Sequence, residues 1–531
     1  MSAAQWWRVL VTDPLPEEGL ARLRAAADLV TDYRPLHGPA LLAAIGEYDA
    51  LIVRSGTAVD RLLLERGERL KIVGRAGVNV DNIDVAAATE RGIMVMNTPE
   101  AVSVAAAEHT LALLLALCRR LPAADASVRR GEWRRGLFLG QQLSGLTLGL
   151  VGFGRVGRLV AERARAFGLN VLAFDPYVDD DLARRADVTL VTLDELLARA
   201  DIVSVHAAVR DAAAPLLGAV ELSQLRPGAL LVNTARGALV DEAALLQALT
   251  SGRLGGAALD VFAAEPPGRS PLFDLPNVVV SPHLGASTLE AQRAVAVQIA
   301  EQVSEALRGQ NYRNVVNLPF MAGPDFRLAR PYLELAEKLG ALQAQLADGP
   351  ITRVEVETRG EGLAELIKPI AVALLTGLLR RTLTEPVNYV NAPALAAEHG
   401  LAITQARGLP LVDYPNLLSC RVTWDSGQRL AAGTLFGGSD ARLVQMDGTR
   451  LDARPEGHAL VMTSRDVPGV IGSVGTLLAQ FAVNVAEWRL GRDAPGGTAL
   501  SFINLDDAPP AAALDAIQAL PQVIHARAIR L

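Results

Sequence analysis

Runs of Val, Ile and Leu on consecutive positions recur through the first half of the chain, each ended by a cluster of Gly, Asp, Asn or Pro. Strands covered by helices on both faces show this pattern, because no position along them meets water. The first series is RVLVTD (8–13), DALIVRS (49–55), LKIVGRAG (70–77) and IMVMNTP (93–99), with helical stretches at 16–27 and 84–91 between them. It predicts a doubly wound α/β unit over residues 1–98. A long apolar helix is expected from 101 to 119. The second series starts near 146 with LTLGLVG and runs through NVLAFD, DIVSVH, GALLVNTAR, GAALDVF and NVVVSPH. These β runs with helices between them are what a dinucleotide-binding sheet requires. A helix over 286–308 then returns the chain to finish the first unit.

Past residue 318 the pattern changes to helices with breakers, then to mixed strands and helices until about 455. From HALVMTSRDVPGVIGSVGTLLAQFAVNVAEW onward the order is βαββαβ, a small α+β module. At 531 residues the chain is too long for one core, so several domains are expected. Half of it is apolar, and 51 basic against 58 acidic residues give a net charge of −7 with no basic block. That excludes a nucleic-acid surface as the main partner. Cys118 and Cys420 make neither a disulfide framework nor a zinc site, so no metal is expected and a reducing cytoplasm fits. The N-terminus lacks a basic n-region and a long apolar h-region. TLALLLALC (110–118) and PIAVALLTGLL (369–379) are too short to span a bilayer, so no membrane partner is expected.

Gly152-Phe153-Gly154-Arg155-Val156-Gly157 follows the strand LTLGLV and opens the helix RVGRLVAERARAFG. Alone, this spacing is a common glycine turn. Between a strand and a helix, each glycine acquires a task. The first permits the tight turn, the second lets a pyrophosphate approach the backbone, and the third lets helix pack on strand. The helix N-terminus offers its unpaired N–H groups to the anion. Asp175 ends the next strand, 18 residues past Gly157. There it accepts hydrogen bonds from a ribose diol, or else serves as a turn acid before Pro176. A 2′-phosphate would meet like charge, so NAD is expected rather than NADP.

Arg236 in VNTARG, Glu265 in VFAAEP and His283 in VVVSPHLG follow three different strands. Open α/β sheets bind ligands at the carboxyl ends of their strands, the edge that also carries the glycine loop. Singly, the three read as a surface cation, a turn acid and a core histidine. Together at one edge they read as a catalytic set. The Arg236 fork suits a carboxylate. His283 can exchange a proton with a hydroxyl, and Glu265 can fix its tautomer and stabilise its imidazolium form.

Residues 1–317 resemble the D-2-hydroxyacid dehydrogenases, and the full chain resembles their long phosphoglycerate dehydrogenase branch. The resemblance rests on VRSGTAVD, VGRAGVNVDNID, GLVGFGRVGRLVAERARAFG, LVNTARGALVDEAAL, ALDVFAAEPP, VVVSPHLGAST and VNYVNAPALAAEHGL. It implies an α/β fold with a Rossmann-type NAD-binding domain (99–285) inserted in a flavodoxin-like substrate domain (1–98 and 286–317). An α+β intervening domain (318–455) and a βαββαβ ACT domain (456–531) follow. It implies catalytic roles for Arg236, Glu265 and His283, and a contact from Asp260 to the nicotinamide carboxamide. His206, Ala235 and Gly285 complete the expected cofactor contacts. The implied reaction is oxidation of 3-phosphoglycerate to 3-phosphohydroxypyruvate, the entry to serine synthesis.

Such a substrate carries about three negative charges near neutrality, so cations should line its pocket. Arg54, with Ser55 beside it, and Arg75 are the candidates from the first domain. Backbone N–H groups of Ala76 and Gly77 would hold the carboxylate as a nest. The resemblance suggests that Arg134 or Arg135, in GEWRRG, reaches the site of a second subunit in a homodimer or homotetramer. In the ACT-like module, Asp466 and Asn484 match positions that hold a serine effector between paired copies; the alternative is a dimerisation module without a ligand. The chain departs from the family at Asn79 (usually Gly), Val102 (often Asn), Ala207 and Ala208 after His206, and Ser464 (often His or Tyr). Two other readings stay open: a dehydrogenase of another 2-hydroxy acid, such as glyoxylate or hydroxypyruvate, and an NAD-sensing protein without turnover.

Overall fold

A computed structural model of the chain describes residues 6–208, 214–320, 326–409 and 413–531. Its first sheet is built from β1 (Trp7–Val11), β2 (Leu29–Tyr33), β3 (Ala50–Val53), β4 (Ile72–Arg75) and β5 (Met94–Met96). All pairs are parallel, in the order β2-β1-β3-β4-β5. This is the flavodoxin-like order. The edge strand β2 has no counterpart in the sequence reading, because only Leu29 of LVTDY is buried. The helix Leu289–Leu307 returns to this sheet, and a Cβ on Gly74 of β4 would lie 2.8 Å from Val303 Cγ2. Glycine at 74 lets the helix lie flat on the strand.

The second sheet holds β6 (Thr147–Val151), β7 (Asn170–Phe174), β8 (Thr189–Leu190), β9 (Ile202–Val205), β10 (Ala229–Asn233), β11 (Leu254–Leu259) and β12 (Val278–Val280). It is fully parallel, ordered β12-β11-β10-β9-β6-β7-β8. Reversal of strand order beside β6 is the Rossmann switch point, where dinucleotides bind. The sequence pattern contains all of these strands except β8, whose two residues are too few to leave a signal. The apolar helix Ser103–Cys118 carries the chain from the first sheet to the second.

The third sheet comprises β13 (Ile351–Arg359), β14 (Ala402–Gly408), β15 (Leu417–Trp424), β16 (Gly427–Phe436), β17 (Asp440–Met446) and β18 (Thr449–Ala453). Helices Phe326–Leu346 and Ile367–Thr382 lie against each other beside it. A Cβ on Gly340 would meet the Leu374 carbonyl oxygen at 2.0 Å, and one on Gly377 the Glu337 carbonyl oxygen at 1.9 Å. These glycines set how closely the two helices approach. The last module adds β19 (His458–Arg465), β20 (Val485–Arg492), β21 (Thr498–Leu505) and β22 (Val523–Arg530), antiparallel in the order β20-β21-β19-β22. One face of this sheet carries the helices Val470–Gln480 and Ala511–Gln518 over Leu460, Met462 and Ile503. The other face presents Ala459, Val461, Leu500, Phe502 and Ile529 to the core around Leu339 and Leu342. The third and fourth sheets therefore share a hydrophobic core. Polar ties reinforce it, with Arg527 Nη1 donating to the Ala347 carbonyl at 2.8 Å and Arg381 Nη2 to the Arg530 carbonyl at 2.8 Å.

The motif VNYVN (387–391) joins this C-terminal half to the first domain. Asn388 Nδ2 donates to the Gly92 carbonyl at 2.6 Å, across 296 residues of chain. Its Oδ1 accepts from the Val390 amide at 2.9 Å. The Tyr389 ring meets Tyr312 edge-on at 6.0 Å, and its hydroxyl bonds Glu337. Among the described residues, no helix is long and apolar enough to cross a membrane. Asn388→Ala should lower the free energy of urea unfolding by about 1–3 kcal/mol, the cost of leaving a buried partner unpaired. An unchanged midpoint would show that this tie does not hold the two halves together.

Candidate active site

Three glycines in one loop meet three different surroundings. Gly152 turns the chain at φ 102°, and a Cβ there would lie 2.6 Å from the His206 carbonyl carbon. Gly154 caps the helix Arg155–Ala166, and a Cβ on it would meet nothing within 4 Å. Gly157 packs inward, where a Cβ would come 2.3 Å from the Gly152 carbonyl oxygen. The middle glycine thus borders open space at the positive end of a helix dipole, which fits a pyrophosphate. Asp175 stands just past β7, accepting from the Phe153 amide at 2.9 Å and the Tyr177 amide at 3.0 Å. Each of its oxygens retains a lone pair for a ribose diol. Val156 packs against the domain core, and Arg155 turns away to Glu100 at 2.9 Å, so the loop offers backbone rather than these side chains. His206 Nε2 lies 2.8 Å from Ser204 Oγ, and desolvation holds its imidazole down to about 4, so it is neutral.

β10, β11 and β12 are neighbours and parallel, so Arg236, Glu265 and His283 leave the same edge of the sheet. His283 sits at φ 55°, a left-handed backbone uncommon outside glycine. Its Nδ1 lies 2.6 Å from Glu265 Oε2. A carboxylate can only accept, so Nδ1 carries the hydrogen and Nε2 is left as the proton acceptor. Glu265 Oε1 accepts from the Phe262 amide at 3.1 Å, which orients the carboxylate. Arg236 lies between the two domains. Its guanidinium donates to the carbonyl of Ala235 and to Asn79 Oδ1, on the loop after β4. The substitution at Asn79 is therefore not silent, since its amide occupies part of the Arg236 fork.

Arg75 ends β4 in an electrostatically crowded place. Burial, then repulsion from Arg54, pushes its guanidinium below the ordinary value; Arg236 adds to this, and Asp81 and Asp13 oppose it. Its Nε is buried with no hydrogen-bond partner. Arg236 is lowered likewise, by burial, against the pull of Asp81 and Glu265. Guanidiniums from both domains thus face one region, with Asp13, Asp81 and Glu265 also near them. Arg54 is tied as well, its Nη2 donating to Gln292 Oε1 at 2.5 Å and its Nη1 to the Pro14 carbonyl at 3.3 Å. Ser55 is exposed beside it.

One expectation needs correction. The amides of Ala76 and Gly77 do not form an open nest, because Ala76 N–H donates to the Val53 carbonyl at 2.8 Å and Gly77 N–H to the Arg75 carbonyl at 2.9 Å. Asp260 is fully buried, and its carboxylate takes four donors from the protein. Oδ1 accepts from His109 Nε2 at 3.1 Å, Ser281 Oγ at 2.6 Å and the Leu284 amide at 2.7 Å; Oδ2 accepts from the Gly285 amide at 2.9 Å. Burial opposes the charge, but these donors outweigh it and hold Asp260 below the usual carboxylate range. Asp466 and Asn484 lie apart within one chain, so the effector expected between paired copies would have to draw them from two chains. Asp466 follows Arg465, which pairs with Thr498 at the start of β21, while Asn484 precedes Val485, which pairs with Leu505 at its end. At about 3.3 Å per residue, the length of a strand separates them. Asp466 accepts from Arg492 and from the Gly496 amide, each at 3.0 Å, and Asn484 donates to Asp506 at 2.8 Å.

Arg134 and Arg135 line a surface groove of about 640 Å³ with Ala112, Leu115 and Trp133, apart from the groups that face Arg75 and Arg236. Trp133 is 77% exposed. Val102 is buried in the first domain's core, where an Asn would need partners. His109, Thr110 and Ser281 went unnoticed in the sequence. The available signal was the polar run Glu108-His109-Thr110 inside a mostly apolar helix.

The glycine loop, the acid after β7 and the His–Glu pair across the strand ends define a nicotinamide-dependent dehydrogenase of 2-hydroxy acids. Comparison with known proteins agrees. Residues 111–285 match the NAD-binding domain of the D-isomer-specific 2-hydroxyacid dehydrogenases, and residues 328–447 match the D-3-phosphoglycerate dehydrogenase intervening domain. The D-3-phosphoglycerate dehydrogenase of Synechocystis is 40% identical over 99% of this chain and 95% of its own length. That of Mycobacterium bovis is 42% identical over 96% and 97%. The crystal structure of a Thermus thermophilus protein, 40% identical, covers 58% of this chain and 99% of its own with a TM-score of 0.53. The chain belongs to the D-3-phosphoglycerate dehydrogenase family.

The glycines give a paired test of the cofactor loop. Gly154→Ala should leave the melting temperature unchanged and weaken NAD binding at least tenfold. Gly157→Ala should lower the melting temperature as well, because its Cβ meets backbone. Equal melting temperatures for the two variants would contradict the packing described.

Proposed function

We propose that this chain oxidises 3-phosphoglycerate to 3-phosphohydroxypyruvate with NAD, and that Arg236, Glu265 and His283 carry the chemistry. The observation behind this reading is the His283–Glu265 pair beside the crowded guanidiniums of Arg75 and Arg236. Bound NAD supplies a two-electron acceptor for the hydride that leaves C2. His283 Nε2 takes the hydroxyl proton as the C2–H bond breaks, and Glu265 at Nδ1 stabilises the resulting imidazolium. Arg236 holds the substrate carboxylate and polarises the C2 oxygen, once Asn79 yields its place on the fork. Arg75, with Arg54 behind it, takes the phosphate. In the reverse direction His283 returns the proton. An acid without phosphate would leave Arg75 half-buried and unpaired, which argues against glyoxylate or hydroxypyruvate.

The same reading assigns the first domain to residues 1–98 and 286–317, the NAD domain to 99–285, the intervening domain to 318–455 and an ACT-like module to 456–531. The exposed segment with Trp133, Arg134 and Arg135 serves a second subunit of a homodimer or homotetramer. A serine effector would bind between two such modules, with Asp466 from one copy and Asn484 from the other, since one chain cannot supply both at one place. The two buried, unpaired cysteines suit the cytoplasm.

NADH formation should appear with 3-phosphoglycerate in a panel of 2-hydroxy acids. Turnover of unphosphorylated acids alone would overturn the substrate, and no turnover at all would favour an NAD-sensing protein. His283→Ala should lose at least a hundredfold in kcat while keeping NAD affinity. Millimolar serine should lower the rate, and Asp466→Ala or Asn484→Ala should abolish that response; a wild-type enzyme indifferent to serine would remove the effector site.

A further inference from the structure

The mostly apolar helix Ser103–Cys118 carries the run Glu108-His109-Thr110 at its centre, with Glu108 exposed and His109 and Thr110 turned to the NAD domain. The latter two reach different strand-end loops of that domain. His109 Nε2 lies 3.1 Å from Asp260 Oδ1 and 3.0 Å from Ser281 Oγ. Asp260 can only accept, so His109 Nε2 bears the hydrogen. Thr110 Oγ1, itself buried, lies 2.7 Å from Thr234 Oγ1, two residues before Arg236.

The targets of these contacts surround the catalytic groups. Asp260 holds the turn that bears His283 from both sides. Its carbonyl accepts the His283 amide at 2.9 Å, its carboxylate accepts the amides of Leu284 and Gly285, and Ser281 Oγ closes the near side. The turn needs such a hold, because His283 occupies a left-handed backbone that few non-glycine residues adopt. Thr234 lies in the loop whose other tie is Asn233, with Asn233 Oδ1 accepting from the Ala235 amide and Asn233 Nδ2 donating to the Arg236 carbonyl.

We propose that His109 and Thr110 are positioning residues, which hold the His283 turn through Asp260 and the Arg236 loop through Thr234 on one helix. Neither touches the substrate in this arrangement. Their effect is to keep the proton acceptor and the carboxylate fork at a set distance from each other. Both catalytic loops are tied to one helix, which fixes their spacing. Displacement of a reacting group by about 1 Å costs on the order of a hundredfold in rate, so a donor removed from the far side of Asp260 is felt in turnover.

The inference rests on the proposed reaction only for its kinetic readout. His109→Leu removes the donor at similar volume, and His109→Gln restores an N–H near the position of Nε2. His109→Leu should lower kcat ten- to a hundredfold, with KM for the acid within about twofold of wild type. His109→Gln should recover most of the loss. Whichever acid the wild type turns over serves for this comparison, so a wrong substrate assignment leaves it intact. A second readout needs no turnover. Amide hydrogen exchange across residues 281–286 should speed up in His109→Leu, remain slow in His109→Gln, and stay unchanged in Thr110→Val, which should instead loosen 233–237. A kcat in His109→Leu within twofold of wild type, or unchanged exchange in that segment, would overturn the proposal. Equal loss in the Leu and Gln variants would assign His109 to packing and overturn it as well.

Discussion

One buried charge organises the catalytic edge. Asp260 is removed from water completely, and an unpaired carboxylate in that position would be prohibitive. Four donors from two segments compensate it, and three of them belong to the segment around His283. The energetic need of the carboxylate for partners is thus the force that folds the turn. That turn delivers His283 to Glu265 in one tautomer, with Nε2 left for the substrate.

The cleft pairs this arrangement with an opposite electrostatic condition on its other wall. Arg75 and Arg236 are half-buried near each other and near Arg54, and no carboxylate forms an ion pair with Arg75 among the described residues. Cations brought together in this way favour an anion at that wall. The NAD side works differently. It presents backbone dipoles and open space at Gly154 rather than cationic side chains, and Asp175 is tied to the glycine loop through the Phe153 amide. The two walls therefore differ in how they present positive potential.

The C-terminal half is physically continuous with the catalytic half. The last sheet gives its helix-free face to the intervening domain's core, and the VNYVN segment grips the first domain through Gly92. Glycine is needed at 92, where φ is 70° and a Cβ would lie 2.6 Å from Asn388 Nδ2. A change in how the last sheet packs has an unbroken route of apolar and polar contacts to β5, which lies beside the Arg75 strand.

Much of this was legible in the sequence because strands buried on both faces, glycine loops and strand-end polar residues obey local rules. The parallel runs, the roles of Gly152, Gly154 and Gly157, and the shared edge of Arg236, Glu265 and His283 all follow from positions along the chain. What local rules could not supply was the partner of each polar atom. The spent amides of Ala76 and Gly77, the burial of Asp260, the hold of Asn79 on Arg236 and the separation of Asp466 from Asn484 depend on segments far apart in sequence. The sequence by itself determined which elements form and which chemistry stands at their ends, since periodicity and residue type are local properties. Only the tertiary structure decided which donor meets which acceptor, because hydrogen bonds in a buried cleft are closed by neighbours that no spacing along the chain encodes.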